Sequence, residues 1–127
     1  MKVNINEITA RLDALIDERV YFLDKRTGEI FGMYKDAIKS YEEKEYYTAL
    51  PLKNDIREYR IMEDFIESLT NKNHINRLKA AINGKGAFKR FKNTINYLGI
   101  DDNWYSIKGN SLEKIAIKWC EDNGLDY

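Results

Sequence analysis

The feature that most constrains the fold is a change of hydrophobic period at Pro51, the single proline of the chain. Before it, runs rich in aromatic and branched side chains predict three strands, at 19–24, 29–34 and 45–50. After it, apolar residues recur at every third or fourth position, as on one face of a helix. Strands followed by helices predict an α+β fold, in which a small antiparallel β-sheet of about three strands is covered by a predominantly helical C-terminal half.

Turn and cap signals divide these two halves into elements. A polar turn at 25–28, with Gly28 free to take a positive φ, joins the first two strands into a hairpin. Apolar stripes and glycine stops then predict helices at 5–16 and 35–44, a helix of about four turns from Asn54, two helices that end at Gly84 and Gly99, a helical turn at 102–105 and a last helix that ends at Gly124.

Length and cysteine content limit the class of protein. The 127 residues suit a single domain, 1–127, because a chain of this size buries roughly two thirds of the surface that its unfolded form exposes. One cysteine and one histidine exclude an internal disulfide and a Cys/His zinc site, and no cofactor or metal is expected. Charges interrupt every apolar run and the N-terminus lacks the apolar core of a signal peptide, so we expect a cytoplasmic protein with no membrane partner.

The net charge of zero hides a strong asymmetry along the chain. Residues 1–67 carry 11 basic and 15 acidic side chains, and residues 101–127 carry 3 and 6. The segment between them, 68–100, has 7 basic side chains and no Asp or Glu. Because salt screens charges beyond about 8–10 Å, such patches act separately on partners. The middle segment is therefore the first place to look for function.

The most distinctive motif lies within this basic segment, at 84–92, and reads Gly-Lys-Gly-Ala-Phe-Lys-Arg-Phe-Lys. It is a glycine-bracketed turn that opens a helix, so free backbone N–H groups and the positive end of the helix dipole meet basic side chains. Neither a P-loop nor a dinucleotide-binding glycine pattern is present. The motif predicts an anion or ligand contact, and its alternative is an ordinary turn with Phe88 and Phe91 in the core. The candidate contact residues are Lys85, Gly86, Lys89, Arg90 and Lys92.

The same segment is also compatible with a helix-turn-helix, in which residues 87–98 would be the recognition helix. Asn93 and Asn96 would then add base-edge contacts to the phosphate contacts of the basic side chains. The acidic segments on either side oppose nucleic-acid binding beyond the local patch.

Aromatic residues are the second unusual feature, with 9 Tyr, 2 Trp and 5 Phe. Tyr and Trp are enriched at interfaces because an apolar ring carries a polar tip. Tyr46, Tyr47, Trp104 and Tyr105 are the candidate interface residues. The alternative is that they line the seam between the sheet and the helices.

Catalytic chemistry finds little support in the sequence. His74 stands alone in a polar stretch and is interpreted as a capping or surface residue. Cys120 lies beside Trp119 on an apolar helix face and is interpreted as a small buried hydrophobic residue. The carboxylates near Arg60 are expected to form ion pairs with it rather than to hold a metal. No nucleophile and base are paired, so an enzyme is not favoured.

Four segments resemble a family of small bacterial proteins known as uncharacterised protein family (UPF) 0158. They lie at 58–65, 84–91, 103–105 and 115–124, and the hairpin at 27–30 is also similar to the family. The resemblance supplies no established activity and no catalytic residues that can be carried over to this chain. The chain departs from it at Gly109-Asn110-Ser111, which predicts that the last helix is broken there.

These observations favour a non-catalytic binding or protein-interaction module. Its basic contact surface at 84–92 would meet an acidic protein surface or a second copy of the chain. The alternative is a nucleic-acid or nucleotide/phosphate-ligand binder that uses the same segment.

Overall fold

A computed structural model of the chain describes residues 2–42 and 44–127. Its elements are α1 (Ile5–Leu12), β1 (Arg19–Asp24), β2 (Ile30–Tyr34), a 3-10 turn (Lys35–Ala37), α2 (Lys39–Glu42), β3 (Tyr47–Ala49), α3 (Lys53–Ile56), α4 (Glu58–Ser68), α5 (Lys72–Ala81), α6 (Ala87–Leu98) and α7 (Asp101–Asp122). The predicted α+β class is confirmed. Among the described residues, no helix is both long and apolar enough to cross a membrane.

The residues group into two compact units, each described here by itself. The sheet unit comprises the described residues up to Ile56 together with Ser111–Tyr127, and the helical unit comprises Arg57–Asn110. The single-domain assignment of 1–127 stays a prediction.

The sheet has three antiparallel strands in the order β2-β1-β3. Strand β1 is central and is buried from Val20 to Asp24, because it has a neighbour on each side and packing on both faces. In the register with β2, Tyr21 lies opposite Gly32. A Cβ at Gly32 would lie 2.7 Å from Cε1 of Tyr21, so this glycine makes room for the tyrosine ring. The hairpin turn follows its prediction, with Gly28 at φ 81°.

The remaining core of the sheet unit comes from α1 and the C-terminal half of α7. Ile8 and Leu12 of α1 are buried, as are Leu112, Ala116, Trp119 and Cys120 of α7. Trp119 donates from Nε1 to the carbonyl oxygen of Ala49 at 2.9 Å, which ties this end of α7 to β3.

The helical unit is built around three aromatic rings. Phe65 of α4, Phe91 of α6 and Trp104 of α7 are fully buried. Their ring centroids lie 4.8–6.0 Å apart in edge-to-face contacts. Such contacts contribute about 0.5–1.5 kcal/mol per pair beyond burial alone, so this cluster fixes the positions of the helices around it.

Several predicted helix boundaries differ from the structure. The helix predicted from Asn54 is two helices, because Arg57 takes a left-handed conformation at φ 53° between α3 and α4. The break predicted at Gly109-Asn110-Ser111 is wrong, since α7 runs through it without interruption. Buried residues on either side, Trp104 and Leu112, hold the helix, and a glycine in its interior costs only about 1 kcal/mol. The N-terminal helix ends at Leu12 rather than near 16. Of the helix predicted at 35–44, the described residues form a 3-10 turn at Lys35–Ala37 and one turn of helix at Lys39–Glu42.

Candidate anion-binding surface

The turn between α5 and α6 depends on two glycines in left-handed conformation. Gly84 has φ 74° and Gly86 has φ 76°, which a residue with a side chain rarely adopts. Gly86 is the N-cap of α6 and offers no side-chain cap. The bracketing glycines of the motif therefore have a backbone reason for their positions, whatever the turn binds.

The side chain of Arg90 donates hydrogen bonds to the backbone of this turn. Its Nε donates to the carbonyl oxygen of Ala81 at 2.9 Å, and its terminal nitrogens donate to carbonyl oxygens of the turn residues Asn83, Gly84 and Lys85. Carbonyls at the end of a helix have no partner within the helix, and the dipole makes this end negative. The guanidinium thus caps α5, and Arg90 stabilises the turn rather than offering its donors to a ligand.

Gly86 is required for a second reason. A Cβ at this position would lie 2.9 Å from Nη1 of Arg90, whereas a Cβ at Gly84 would meet nothing within 4 Å. The absence of a side chain at Gly86 therefore makes space for the guanidinium.

The three lysines of the motif do not converge on one pocket. Lys85 and Lys89 are exposed, and Lys92 is half-buried with its Nζ 5.0 Å from the ring centroid of Phe88. Two positions apart on a helix, Arg90 and Lys92 lie on opposite flanks of α6, with Lys89 between them on the outward side. Phe88, placed in the core by the ordinary-turn alternative, is 40% exposed. The lysines form a surface and not a cleft.

A groove of about 540 Å³ lies between α5 and α6, on the Arg90 flank. Its lining residues are Arg77, Ala80, Ala81, Arg90, Asn93, Thr94 and Tyr97. Tyr97 is 76% exposed, and the guanidinium carbon of Arg77 lies 5.4 Å from its ring centroid. The sequence placed Arg77 in the basic segment and Tyr97 among the aromatics without giving either a role. The signal was the helical spacing of Arg90, Asn93 and Tyr97 on one face.

The charged side chains that line the groove, Arg77 and Arg90, are both basic. All seven basic side chains of 68–100 are exposed or half-exposed, and none of them forms an ion pair with a carboxylate within the described part of the chain. They are Lys72, Arg77, Lys79, Lys85, Lys89, Arg90 and Lys92. We call the exposed part of 72–98, which carries these side chains on more than one side of the two helices, the basic surface.

The whole chain, residues 1–127, matches the sequence model of an uncharacterised protein family, UPF0158. The chain belongs to this family. No curated protein and no solved structure matches it significantly. The comparisons supply no residue roles for this UPF0158 protein, so we infer the roles of the remaining candidate residues from their geometry.

Two of the candidate interface residues in this UPF0158 chain belong to an internal cluster. The guanidinium carbon of Arg26 lies 3.6 Å from the ring centroid of Tyr46 and 5.6 Å from that of Tyr47. Arg26 also donates to both carboxylate oxygens of Asp24, at 3.1 and 3.0 Å. These hydrogen bonds from the Arg26 side chain hold the pKa of Asp24 below its ordinary value. Both tyrosines are half-buried. Their contacts with Arg26 connect the hairpin turn to β3 and the residue before it.

The other two interface candidates have opposite environments. Trp104 is fully buried in the aromatic core of the helical unit, so its assignment to a surface is wrong. Phe65 of α4 and Phe91 of α6 pack against the Trp104 indole. The sequence pattern of α7 alone does not show this packing. Tyr105, the next residue on α7, is 58% exposed.

The residues considered for catalysis or metal binding, His74, Cys120 and Asp64, lie on three different helices. The backbone N–H of His74 donates to the N-cap Asn71, in the first turn of α5. Cys120 is fully buried, and burial raises the pKa of its thiol. Asp64 pairs with Arg60 at 3.4 Å, as expected from their spacing. Among the residues at 2–42 and 44–127, no three His, Cys, Asp or Glu side chains group to hold a metal.

Proposed function

We propose that this protein is a non-catalytic binding module whose basic surface engages an acidic surface of another protein. The observation that carries the proposal is the segment 68–100, in which seven basic side chains and no acidic one occupy two adjacent helices and their turn. Unpaired surface charges of one sign raise the rate of encounter with an opposite charge and exclude like-charged partners.

The turn supports a binding role because side-chain hydrogen bonds hold its backbone. Arg90 ties the end of α5 to the turn, and Gly86 keeps the space for its guanidinium. The lysines of the motif are therefore presented from fixed backbone positions. Preorganisation of this kind lowers the entropic cost of binding.

A charge-reversal experiment tests the proposal. Lys85, Lys89 and Lys92 are changed together to Glu, and the control changes Lys25, Lys39 and Lys44, which are exposed lysines of the sheet unit, in the same way. Both triple variants have the same net charge. Binding of a fluorescent polyglutamate peptide is measured by anisotropy at about 50 and 200 mM salt.

The basic-surface variant should bind at least about tenfold more weakly, which corresponds to 1.4 kcal/mol, and the control should change by less than about threefold. Two outcomes would overturn the proposal. Equal losses of affinity in the two variants would show that net charge alone governs binding, and a wild-type protein with no affinity for the peptide would show that the basic surface does not bind acidic chains.

The groove favours a second candidate, a single-stranded nucleic acid. An exposed aromatic ring inside a positive groove is how proteins stack bases while contacting phosphates, and each stacked base contributes about 1–3 kcal/mol. Tyr97 and Arg77 supply this pair of groups.

Substitution of two exposed tyrosines of the helical unit distinguishes between an acidic protein surface and a single-stranded nucleic acid as the ligand. A nucleic-acid binder should lose at least about fivefold in affinity for a single-stranded oligonucleotide in Tyr97→Ala, and little in Tyr105→Ala, which lies beside the acidic start of α7. If the wild-type protein prefers the peptide and both alanine variants bind the oligonucleotide equally, the acidic protein surface stands as the ligand.

A further inference from the structure

The outer edge of β2 carries unpaired backbone groups. Its inner groups are identified by two hydrogen bonds at the ends of the hairpin, from Lys35 N–H to the Glu18 carbonyl at 3.3 Å and from Asp24 N–H to the Glu29 carbonyl at 2.9 Å. Hydrogen-bonded pairs alternate in an antiparallel ladder, so positions 29, 31, 33 and 35 face β1. Ile30, Gly32 and Tyr34 therefore direct their N–H and C=O groups outward. In the part of the chain that the structure describes, no strand pairs with this edge.

We propose that the outer edge of β2 pairs with the same edge of a second copy of the chain, antiparallel and centred on Gly32. This pairing joins two three-stranded sheets into one continuous sheet with two-fold symmetry. It places Gly32 opposite Gly32, and Ile30 opposite Tyr34 of the other copy. All three outward residues of each strand then meet outward residues, which supplies about six hydrogen bonds.

Charge complementarity selects this register. Glu29 and Lys35 flank β2, are both exposed, and form no ion pair with any residue that the structure describes. Six residues apart along an extended strand, they are separated by about 20 Å and do not reach each other. In a pairing centred on Gly32, Glu29 of each copy lies opposite Lys35 of the other, so the strand is complementary to itself.

The neighbouring registers lack this match. Centring on Phe31 places Glu29 opposite Met33, and centring on Met33 places it opposite Ala37. Each of these also leaves one outward residue of the strand without an outward partner. A slip by half of this step would place the outward N–H and C=O groups of one copy opposite residues whose own N–H and C=O groups face β1 in the other copy.

Within the strand itself, the edge also lacks the residues that prevent pairing between strands. Proteins block exposed edges with proline, with a charge inside the strand or with a covering segment. Strand β2 reads Ile-Phe-Gly-Met-Tyr, with charges only at its two flanks. The space beside its glycine is filled by the Tyr21 ring of the same chain.

A charge-swap cycle tests the proposal on the full chain. Glu29→Lys and Lys35→Glu each place like charges opposite each other twice in the dimer, and the double variant restores both opposite pairs. Sedimentation equilibrium should show a dimer for the wild-type protein, a dissociation constant weakened about tenfold in each single variant, and recovery in the double variant. Both side chains are exposed, so the fold of the monomer should remain, as circular dichroism can check.

The control is Lys39→Glu, an exposed change beyond the strand, which should leave the dimer unchanged. A wild-type protein that is monomeric at all concentrations would overturn the proposal. A dimer that responds equally to Lys39→Glu and Lys35→Glu, or that is not restored in the double variant, would also overturn it. The charge reversal at Lys85, Lys89 and Lys92 should not affect the dimer, so this proposal and that of the acidic partner fail independently.

Discussion

The guanidinium of Arg90 donates to the carbonyl oxygens at the end of α5 and in the turn that follows. Lysine keeps the charge but lacks the planar set of donors that reaches several carbonyls at once. Arg90→Lys should therefore lower the free energy of unfolding by about 1–3 kcal/mol, as hydrogen bonds from a charged group are lost. Urea denaturation measures this, with Lys89→Ala as an exposed control; equal stability of the two variants would contradict the capping role.

The two glycines of the turn offer a matched pair of substitutions. Alanine at Gly84 or Gly86 must adopt a left-handed conformation, at a cost of roughly 1 kcal/mol each. Only at Gly86 does the new Cβ meet Nη1 of Arg90. Gly86→Ala should therefore be the more destabilising by about 1 kcal/mol or more in urea denaturation. The opposite ranking would show that Arg90 does not depend on the space at Gly86.

The carboxylate of Asp24 links stability to pH. Its pKa in the folded protein is lowered, chiefly by hydrogen bonds from the Arg26 side chain. A lowered folded-state pKa stabilises the protein above the unfolded carboxyl pKa of about 4, and this contribution is lost as the pH falls through the folded value. The stability difference between wild type and Asp24→Asn should be largest near neutral pH and shrink below about pH 4. Thermal melts over this range test it, and a difference independent of pH would contradict it.

Among the elements, α7 shows most clearly how context overrides a local signal. Glycine in a helix interior is less favourable than alanine, and no atom lies within 4 Å of a Cβ placed at Gly109. Gly109→Ala should therefore raise the free energy of unfolding by about 0.5–1 kcal/mol. A destabilised variant would indicate that α7 bends or opens at 109–111.

The elements that the sequence predicted well are those with strong periodic patterns. The bounds 19–24 of β1 match, because an apolar run of four aromatic and branched residues is flanked by a charged residue at each end. The end of α6 at Gly99 also matches, since its left-handed glycine is a specific stop signal. The break at Arg57 was missed because a left-handed residue other than glycine has no sequence signature.

For the molecule as a whole, the sequence identified the basic segment but not what its residues do there. Charge patterning needs no structure, so the acid-free stretch 68–100 was visible at once. Which cations extend freely into solvent and which one donates to the turn depends on the helix phase and on the turn, so the capping role of Arg90 was not predicted. Trp104 and Tyr105 are adjacent in sequence, yet one is core and the other surface, because only the neighbouring helices decide that.

The measurement that tests the central claim most directly is an NMR titration of the full chain with the polyglutamate peptide, in which every backbone amide reports its own change. If the basic surface is the contact, the shifts should concentrate in 72–98 and be strongest around Lys85, Lys89 and the start of α6. They should weaken with added salt, because the contact is electrostatic. Shifts concentrated in the sheet unit, or spread evenly over both units, would contradict the account.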